Sequence, residues 1–358
     1  MSKKLKLNQD LKLIIDLLNT NVNSEIISIV LYGSYGRGEG AFYNIGDETF
    51  TYNDYDLLLI VSELIDEKKI SELKNLISVK TDIKWIDLSQ MLQSNLRYLK
   101  PTIFNYDLKY GSKVIWGNTS VLNYININKS SKIPYCEIET LYFTRLYTFI
   151  GSLKKDSFKT GVKSEESRFF RYQMAKAIFS VVDCELILAQ QYSHSYREKA
   201  NLISSFKPEL KDLSKWALKE KLSPINPDMN NEDVIALYTE VIQAFHKSMH
   251  KGLSKLYKRD IISTKKHIFY FNFSVKHIFV LLKSLIKKKI YFNYLKYYKI
   301  NFAQAFIVEY YVSKLDSNNY MLSYVTQIIK KYSNLNLEDT VSWNELRFRL
   351  SQFLNIHR

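Results

Sequence analysis

The sequence predicts an α+β fold: a small mixed β-sheet domain in the first third, followed by a largely α-helical remainder. Three observations predict it. An apolar run, IISIVLYG (residues 26–33), leads into a glycine-rich turn, and a second apolar run, YDLLLIV (55–61), opens on paired acids. From Glu137 onward the apolar spacing becomes helical, as in ETLYFTRLYTFIGSLKK and SEESRFFRYQMAKAIFSVVDCELILAQQ. Charge shifts at about the same place: residues 1–125 hold 14 Lys/Arg against 15 Asp/Glu, and residues 126–358 hold 37 against 21.

The elements follow in order. A helix is expected over about Asn8 to Thr20, then the strand IISIVLYG. The stretch AFYNIGDETFTYN carries an Asn-Ile-Gly-Asp turn between aromatic and Thr-rich flanks, which reads as a short hairpin over 41–53. The strand from Tyr55 and a helix around Asp66 to Ile77 come next. VKTDIKWIDL (79–88) is the following strand, and YDLKYGSKVIWGN (106–118) holds a last short one. Polar stretches at 126–135 and 222–233 read as linkers. Helices are expected in NEDVIALYTEVIQAFHKSM and SWNELRFRLSQFLN. The domains are therefore set at 1–125, 136–250 and 251–358.

The chemistry concentrates in LYGSYGRGEG (31–40) and in Asp54-Tyr55-Asp56. Side chains two apart on a strand share a face, so Asp54 and Asp56 project together. Paired carboxylates repel unless a cation sits between them, and Mg²⁺ takes such hard oxygen ligands. The nearby Gly33-Ser34 turn offers backbone N–H groups and a hydroxyl that can cradle phosphates. Taken as packing, Asp-x-Asp would be a turn and cap feature, a reading that the Gly-Ser strand upstream argues against. Arg37 is either a surface arginine or a phosphate ligand. Glu39 could ligate a metal or position the hairpin, but is read as solvated.

An apolar strand, Gly-Ser, a spacer and Asp-x-Asp before a second apolar strand resemble the DNA polymerase beta-type nucleotidyltransferase superfamily. The resemblance covers roughly the first 120 residues, although the spacer from Ser34 to Asp54 exceeds the usual dozen or so. It implies transfer of an NMP from an NTP, with ATP expected, to a hydroxyl acceptor, using two Mg²⁺ ions and releasing pyrophosphate. Gly33, Ser34 and Arg37 would meet the triphosphate, and Asp54 and Asp56 both metals. It also implies a third carboxylate on the next strand. By alternation Asp82, Lys84 and Ile86 share one face, while Ile83, Trp85 and Asp87 share the other. Asp82 is the choice; the other alignment puts Lys84 in the third position and leaves Asp87 at the strand end. A helical second domain in such enzymes closes over the nucleotide with a basic residue. Lys176 is the candidate, on a stripe with Phe169, Tyr172, Phe179, Asp183 and Leu186.

The remaining features bound the class. The chain has 358 residues, 46% of them apolar, enough for two or three domains with large cores. Apolar runs such as HIFVLLKSLI fall short of a membrane span, and MSKKLKLNQD lacks an apolar signal core, so the expectation is a cytoplasmic protein. Cys136 and Cys184 sit in apolar helical patterns and are expected reduced. The six histidines are read as forming no ligand-spaced cluster. Residues 251–300 hold 13 Lys/Arg and one acid, Asp260, with aromatics interleaved. That composition suits RNA, including a tRNA end, as the acceptor, and it also suits an ordinary lysine- and tyrosine-rich helical domain. A sugar, an aminoglycoside or a protein hydroxyl stay open as acceptors. The competing class is a non-catalytic nucleic-acid- or partner-binding protein.

Overall fold

The computed structural model describes residues 3–22, 25–45, 48–52, 54–81, 83, 86–129, 131–273, 299–309, 319–333, 337 and 342–353. The chain begins with α1 (Lys3–Asn21), β1 (Ile26–Tyr32), β2 (Phe42–Ile45), β3 (Glu48–Thr51) and β4 (Tyr55–Val61). Next come α2 (Glu67–Thr81), β5 (Ile86–Leu92), α3 (Ile103–Tyr110) and β6 (Lys113–Gly117). The helices α4 (Cys136–Gly151), α5 (Ser164–Ala189), α6 (Tyr196–Phe206), α7 (Lys211–Leu222), α8 (Asn231–Tyr257) and α9 (Thr264–Phe273) follow. A helix over 299–309 is α10, and α11 (Asn319–Ser333) and α12 (Trp343–Phe353) complete the order. The fold class is the expected α+β.

Two units group by contact. Met1–Pro134 joins Ala189–Pro224, and Tyr135–Leu188 joins Ile225–Arg358. The segment carrying α6 and α7, which the sequence reading leaves undivided within 136–250, thus belongs with the sheet.

In the first unit the sheet order is β5-β4-β1-β6. β1 runs antiparallel to both β4 and β6, whereas β4 and β5 are parallel. Leu57 through Val61 are all buried, as a central strand requires. Ile14 and Leu18 of α1 and Ile70, Leu73 and Ile77 of α2 fill one core with Ile29, Leu31, Leu57 and Leu59. α1 is tied to β4 by a buried hydrogen bond in which Tyr55 Oη donates to Asp10 Oδ2 at 2.8 Å. Burial, and then the adjacent Asp10 charge, push the Tyr55 phenol far above its ordinary pKa. The hairpin expected over 41–53 is present as antiparallel β2 and β3.

One boundary differs from the sequence reading. α2 runs on to Thr81, and β5 begins only at Ile86, so residues 79–81 are helical rather than extended. The buried spacing Ile70, Leu73, Ile77 continues to Thr81, whose hydroxyl donates to Ile77 O at 2.7 Å, one turn past the expected end.

The second unit is built around α5, buried on every side from Ala177 through Ile187. The stripe through Phe169, Tyr172, Lys176, Phe179, Asp183 and Leu186 therefore does not separate a buried face from an exposed one. Glu185 accepts from Ser248 Oγ and Lys251 Nζ of α8, each at 2.6 Å. Arg347 of α12 is fully buried and donates to the carbonyls of Ile150 (2.7 Å), Leu153 (2.8 Å) and Lys154 (3.0 Å), closing the end of α4. Cys136 and Cys184 are free. Among the described residues no helix is long and apolar enough to cross a membrane.

His246 and His250 lie four apart on α8, and their rings stack at 5.4 Å. Their Nε2 atoms are sealed from solvent and find no hydrogen-bond partner among the described residues. Burial, reinforced by the neighbouring His250, lowers His246 to about 3. Burial, reinforced by His267, lowers His250 to about 4. Each is neutral in the folded chain and would take a proton in the unfolded chain below about pH 6.5. Their contribution is complete above that pH and is lost as pH falls toward about 4. Acid melting curves of the His246→Phe/His250→Phe variant should accordingly lose less melting temperature over that interval than the natural chain.

Candidate active site

The site is assembled by strand register. Tyr32, the last residue of β1, pairs with Asp56, the second of β4. Asp56 in turn pairs with Asp87, the second of β5. Residues directly opposite one another in a sheet share a face, so the three side chains stand in a row across three adjacent strands. Tyr32 Oη donates to Asp87 Oδ2 at 3.1 Å. Burial, and after it the charges of Asp87 and Asp56, raise the Tyr32 phenol well above its ordinary range, so it keeps the proton it donates. Asp54, two residues before Asp56, is half-buried and immediately precedes β4.

Gly33 fits this row for two reasons. Its φ of +64° is open chiefly to glycine, and a Cβ on it would fall 1.8 Å from Asp56 Oδ2. The carboxylate of Asp56 therefore lies directly against the backbone of the turn. Gly33 to Gly36 form a single helical turn, in which the N–H of Arg37 donates to Gly33 O at 3.2 Å. Glu39 N–H donates to Ser34 O at 2.9 Å, and Ser34 is buried. The Tyr35 ring anchors the turn in the core, and its hydroxyl donates to Ala41 O at 2.7 Å.

Glu39 departs from expectation, and Arg37 from its surface reading. Glu39 is not solvated but 5% exposed. Its Oε1 accepts from Ser195 Oγ (2.8 Å) and Arg197 N–H (3.1 Å), and its Oε2 from Tyr196 N–H (2.9 Å). It thereby satisfies amides that the first turn of α6 leaves open, where the helix dipole favours an anion. Arg37 is not on the surface: its side chain is 8% exposed. Its guanidinium lies 3.6 Å from Glu39 Oε2, 3.4 Å from Asp107 Oδ2 and 4.6 Å from the centre of the Tyr196 ring. These partners account for its charge within the fold.

The remaining candidates stand as follows. Asp82 and Lys84 lie outside the described residues. Among the described residues no three His, Cys, Asp or Glu side chains are grouped to hold a metal ion. The carboxylates of Asp54, Asp56 and Asp87 are nonetheless the oxygen donors that suit Mg²⁺. Lys176 is on α5 of the second unit, with its Nζ 5.3 Å from the ring centre of Tyr172, one turn earlier.

Sequence reasoning passed over Tyr32 and left Asp87 as the alternative. A signal was present for Asp87. Tyr55-Asp56-Leu57 and Ile86-Asp87-Leu88 repeat one pattern, an acid between two apolar residues, and these triplets pair residue for residue.

No family model matches the sequence, and no curated protein matches it. Among solved structures it is similar to spectinomycin adenyltransferase AAD(9) from Enterococcus faecialis, crystallised with ATP and spectinomycin. That likeness has a TM-score of 0.42 at 13% identity and covers 66% of this chain and 98% of the other. The functional reading rests on the chain's own residues.

Gly33→Ala should lower the melting temperature, with a left-handed strain of about 1–3 kcal/mol added to the contact with Asp56. The Gly33→Ala/Asp56→Ala double variant should recover part of that loss, because the obstructing carboxylate is gone. Thermal melts of the single and double variants measure the coupling.

Proposed function

We propose that the first unit is a Mg²⁺-assisted nucleotidyltransferase moving an NMP from an NTP, with ATP the expected donor, to a hydroxyl acceptor. The observation that carries the reading is the register of three strand ends. It sets Asp56 between Tyr32 and Asp87, against the backbone of Gly33. Like charges directly opposite in a sheet are unfavourable, so their adjacency is accounted for by a cation that both can reach.

In the reaction, an acceptor oxygen bonds to the α-phosphorus while the bond from that phosphorus to the bridging oxygen breaks. Pyrophosphate leaves, and the acceptor hydroxyl gives up its proton. Asp54 and Asp56 would hold two Mg²⁺ ions, which when bound neutralise the triphosphate and lower the pKa of the acceptor hydroxyl. Backbone N–H groups of the Gly33 turn and the Ser34 hydroxyl would receive the β- and γ-phosphates. Asp87 takes the third carboxylate position in this reading, because its strand partner is Asp56. Tyr32 occupies its Oδ2 and leaves Oδ1 for the acceptor. Asp82 remains the competing candidate. The acceptor is an RNA or tRNA end, a small molecule or a protein hydroxyl.

Two measurements test this. Asp54→Asn/Asp56→Asn should abolish transfer of label from an α-phosphate-labelled NTP to bulk RNA or protein. Without Mg²⁺ it should melt no lower than the natural chain, since a repelling pair has been removed. Retained transfer contradicts the assignment, and a natural chain that transfers nothing while still binding nucleotide favours the non-catalytic class.

Asp87→Ala should lower turnover by about a hundredfold or more with little change in NTP affinity, as expected for a group that acts on the acceptor. Asp82→Ala should change turnover little. The opposite pattern returns the third position to Asp82.

A further inference from the structure

A second charged feature lies in the helical unit. The last turns of α8 and the residues after it line an open hollow of about 430 Å³. Its walls carry Lys251, Lys255, Lys258 and Arg259 against one acid, Asp260, with Leu188 and Ser254 between them. Like charges four apart on a helix repel by a few tenths of a kcal/mol, and Lys251 and Lys255 are so spaced. Lys251 is offset by Glu185, 2.6 Å away. Asp260 pairs outward with Lys266 at 3.7 Å. Lys255, Lys258 and Arg259 are exposed and form no ion pair among the described residues.

The helix dipole favours cations in a last turn, which accounts for Lys255. It does not account for a lysine at the next step. Lys258 ends α8 with φ +52°, in the left-handed region where glycine is the unstrained residue. The reversal that places it is fixed: Lys258 N–H donates to Ser254 O, Arg259 N–H reaches the same oxygen at 3.2 Å, and Ile261 N–H donates to Ser254 Oγ at 2.8 Å. A strained lysine is thus held beside two further exposed cations that form no ion pair among the described residues. Lys255 also lies 5.9 Å from the centre of the Tyr135 ring, an aromatic face at the border of the charged wall.

We infer that this hollow binds the phosphodiester backbone of a single-stranded nucleic acid. Three exposed cations without an acidic partner among the described residues can neutralise backbone phosphates, and Tyr135 places an aromatic ring beside them. The surrounding composition agrees, since residues 251–300 hold 13 Lys/Arg and one acid. Lys287, Lys288 and Lys289 lie outside the described residues, and the inference does not use them. Nor does it use Asp54, Asp56 or Asp87, so it goes beyond the transfer reaction.

Fluorescence anisotropy of the full chain with a labelled oligouridylate, across a series of NaCl concentrations, tests the inference. Lys255→Gln/Lys258→Gln/Arg259→Gln should weaken binding about tenfold at low salt and flatten the slope of log affinity against log salt by about two units. Lys258→Gly separates charge from folding. It removes one cation and relieves a strained backbone, so it should bind more weakly while melting no lower. Asp54→Asn/Asp56→Asn should bind the oligonucleotide like the natural chain, so that failure of the transfer reading leaves this one standing. Unchanged affinity and slope in the triple variant would overturn the inference. So would inorganic tripolyphosphate that binds as tightly as the oligouridylate and displaces it, because the hollow would then be a site for compact oligophosphates.

Discussion

The first unit depends on two carboxylates held side by side. Asp56 and Asp87 are direct partners across a parallel strand pair, a juxtaposition that opposes folding unless something offsets it. Part of the offset is visible in the protein. Tyr32 donates its phenol proton to Asp87, and Gly33 brings peptide backbone against Asp56 where a side chain would collide. Both residues close β1, so the strand must end where it does and turn at once in a left-handed step. The helices α1 and α2 then have a defined task. They fill the core behind β1 and β4 and fix the register that makes the carboxylates neighbours.

A second constraint secures the turn. Glu39, five residues after Ser34, caps α6, and Arg37 reaches both Glu39 and Asp107. Asp107 also accepts from Tyr192 Oη at 3.0 Å, and the Lys199 ammonium, 2% exposed, donates to that hydroxyl at 3.1 Å. Breaking one member of such a buried charged set costs about 3–5 kcal/mol. A segment more than eighty residues beyond Asp107 is thereby bound into the sheet unit. The glycine-rich turn can hold one conformation because a distant helix start pins its far end.

Much of this was legible in the residues. Continuous apolar runs placed β1 and β4, and 3.6-residue apolar spacing placed α5 and α8, because burial dictates both patterns. Gly33, Ser34, Asp54 and Asp56 stood out because their chemistry conflicts with plain packing. The third carboxylate was harder. Alternation gives the face of a side chain only when the strand start is known, and α2 extends past its expected end. Strand pairing, a long-range property, sets Asp87 beside Asp56. Glu39 was misread for the same reason: its partners are 156 to 158 residues away, and no local pattern marks an acid that caps a distant helix.

The most direct measurement of the central claim is a crystal structure of the chain with Mn²⁺ and a non-hydrolysable ATP analogue. Mn²⁺ takes the same oxygen donors as Mg²⁺ and is located by anomalous scattering. The account predicts anomalous density within coordination distance of Asp54 and Asp56, with an oxygen of Asp87 on the acceptor side and the triphosphate along the Gly33–Ser34 turn. Metal held by Asp82 with Asp87 turned away would contradict the third assignment. An analogue bound away from the turn, with no metal at Asp56, would contradict the whole.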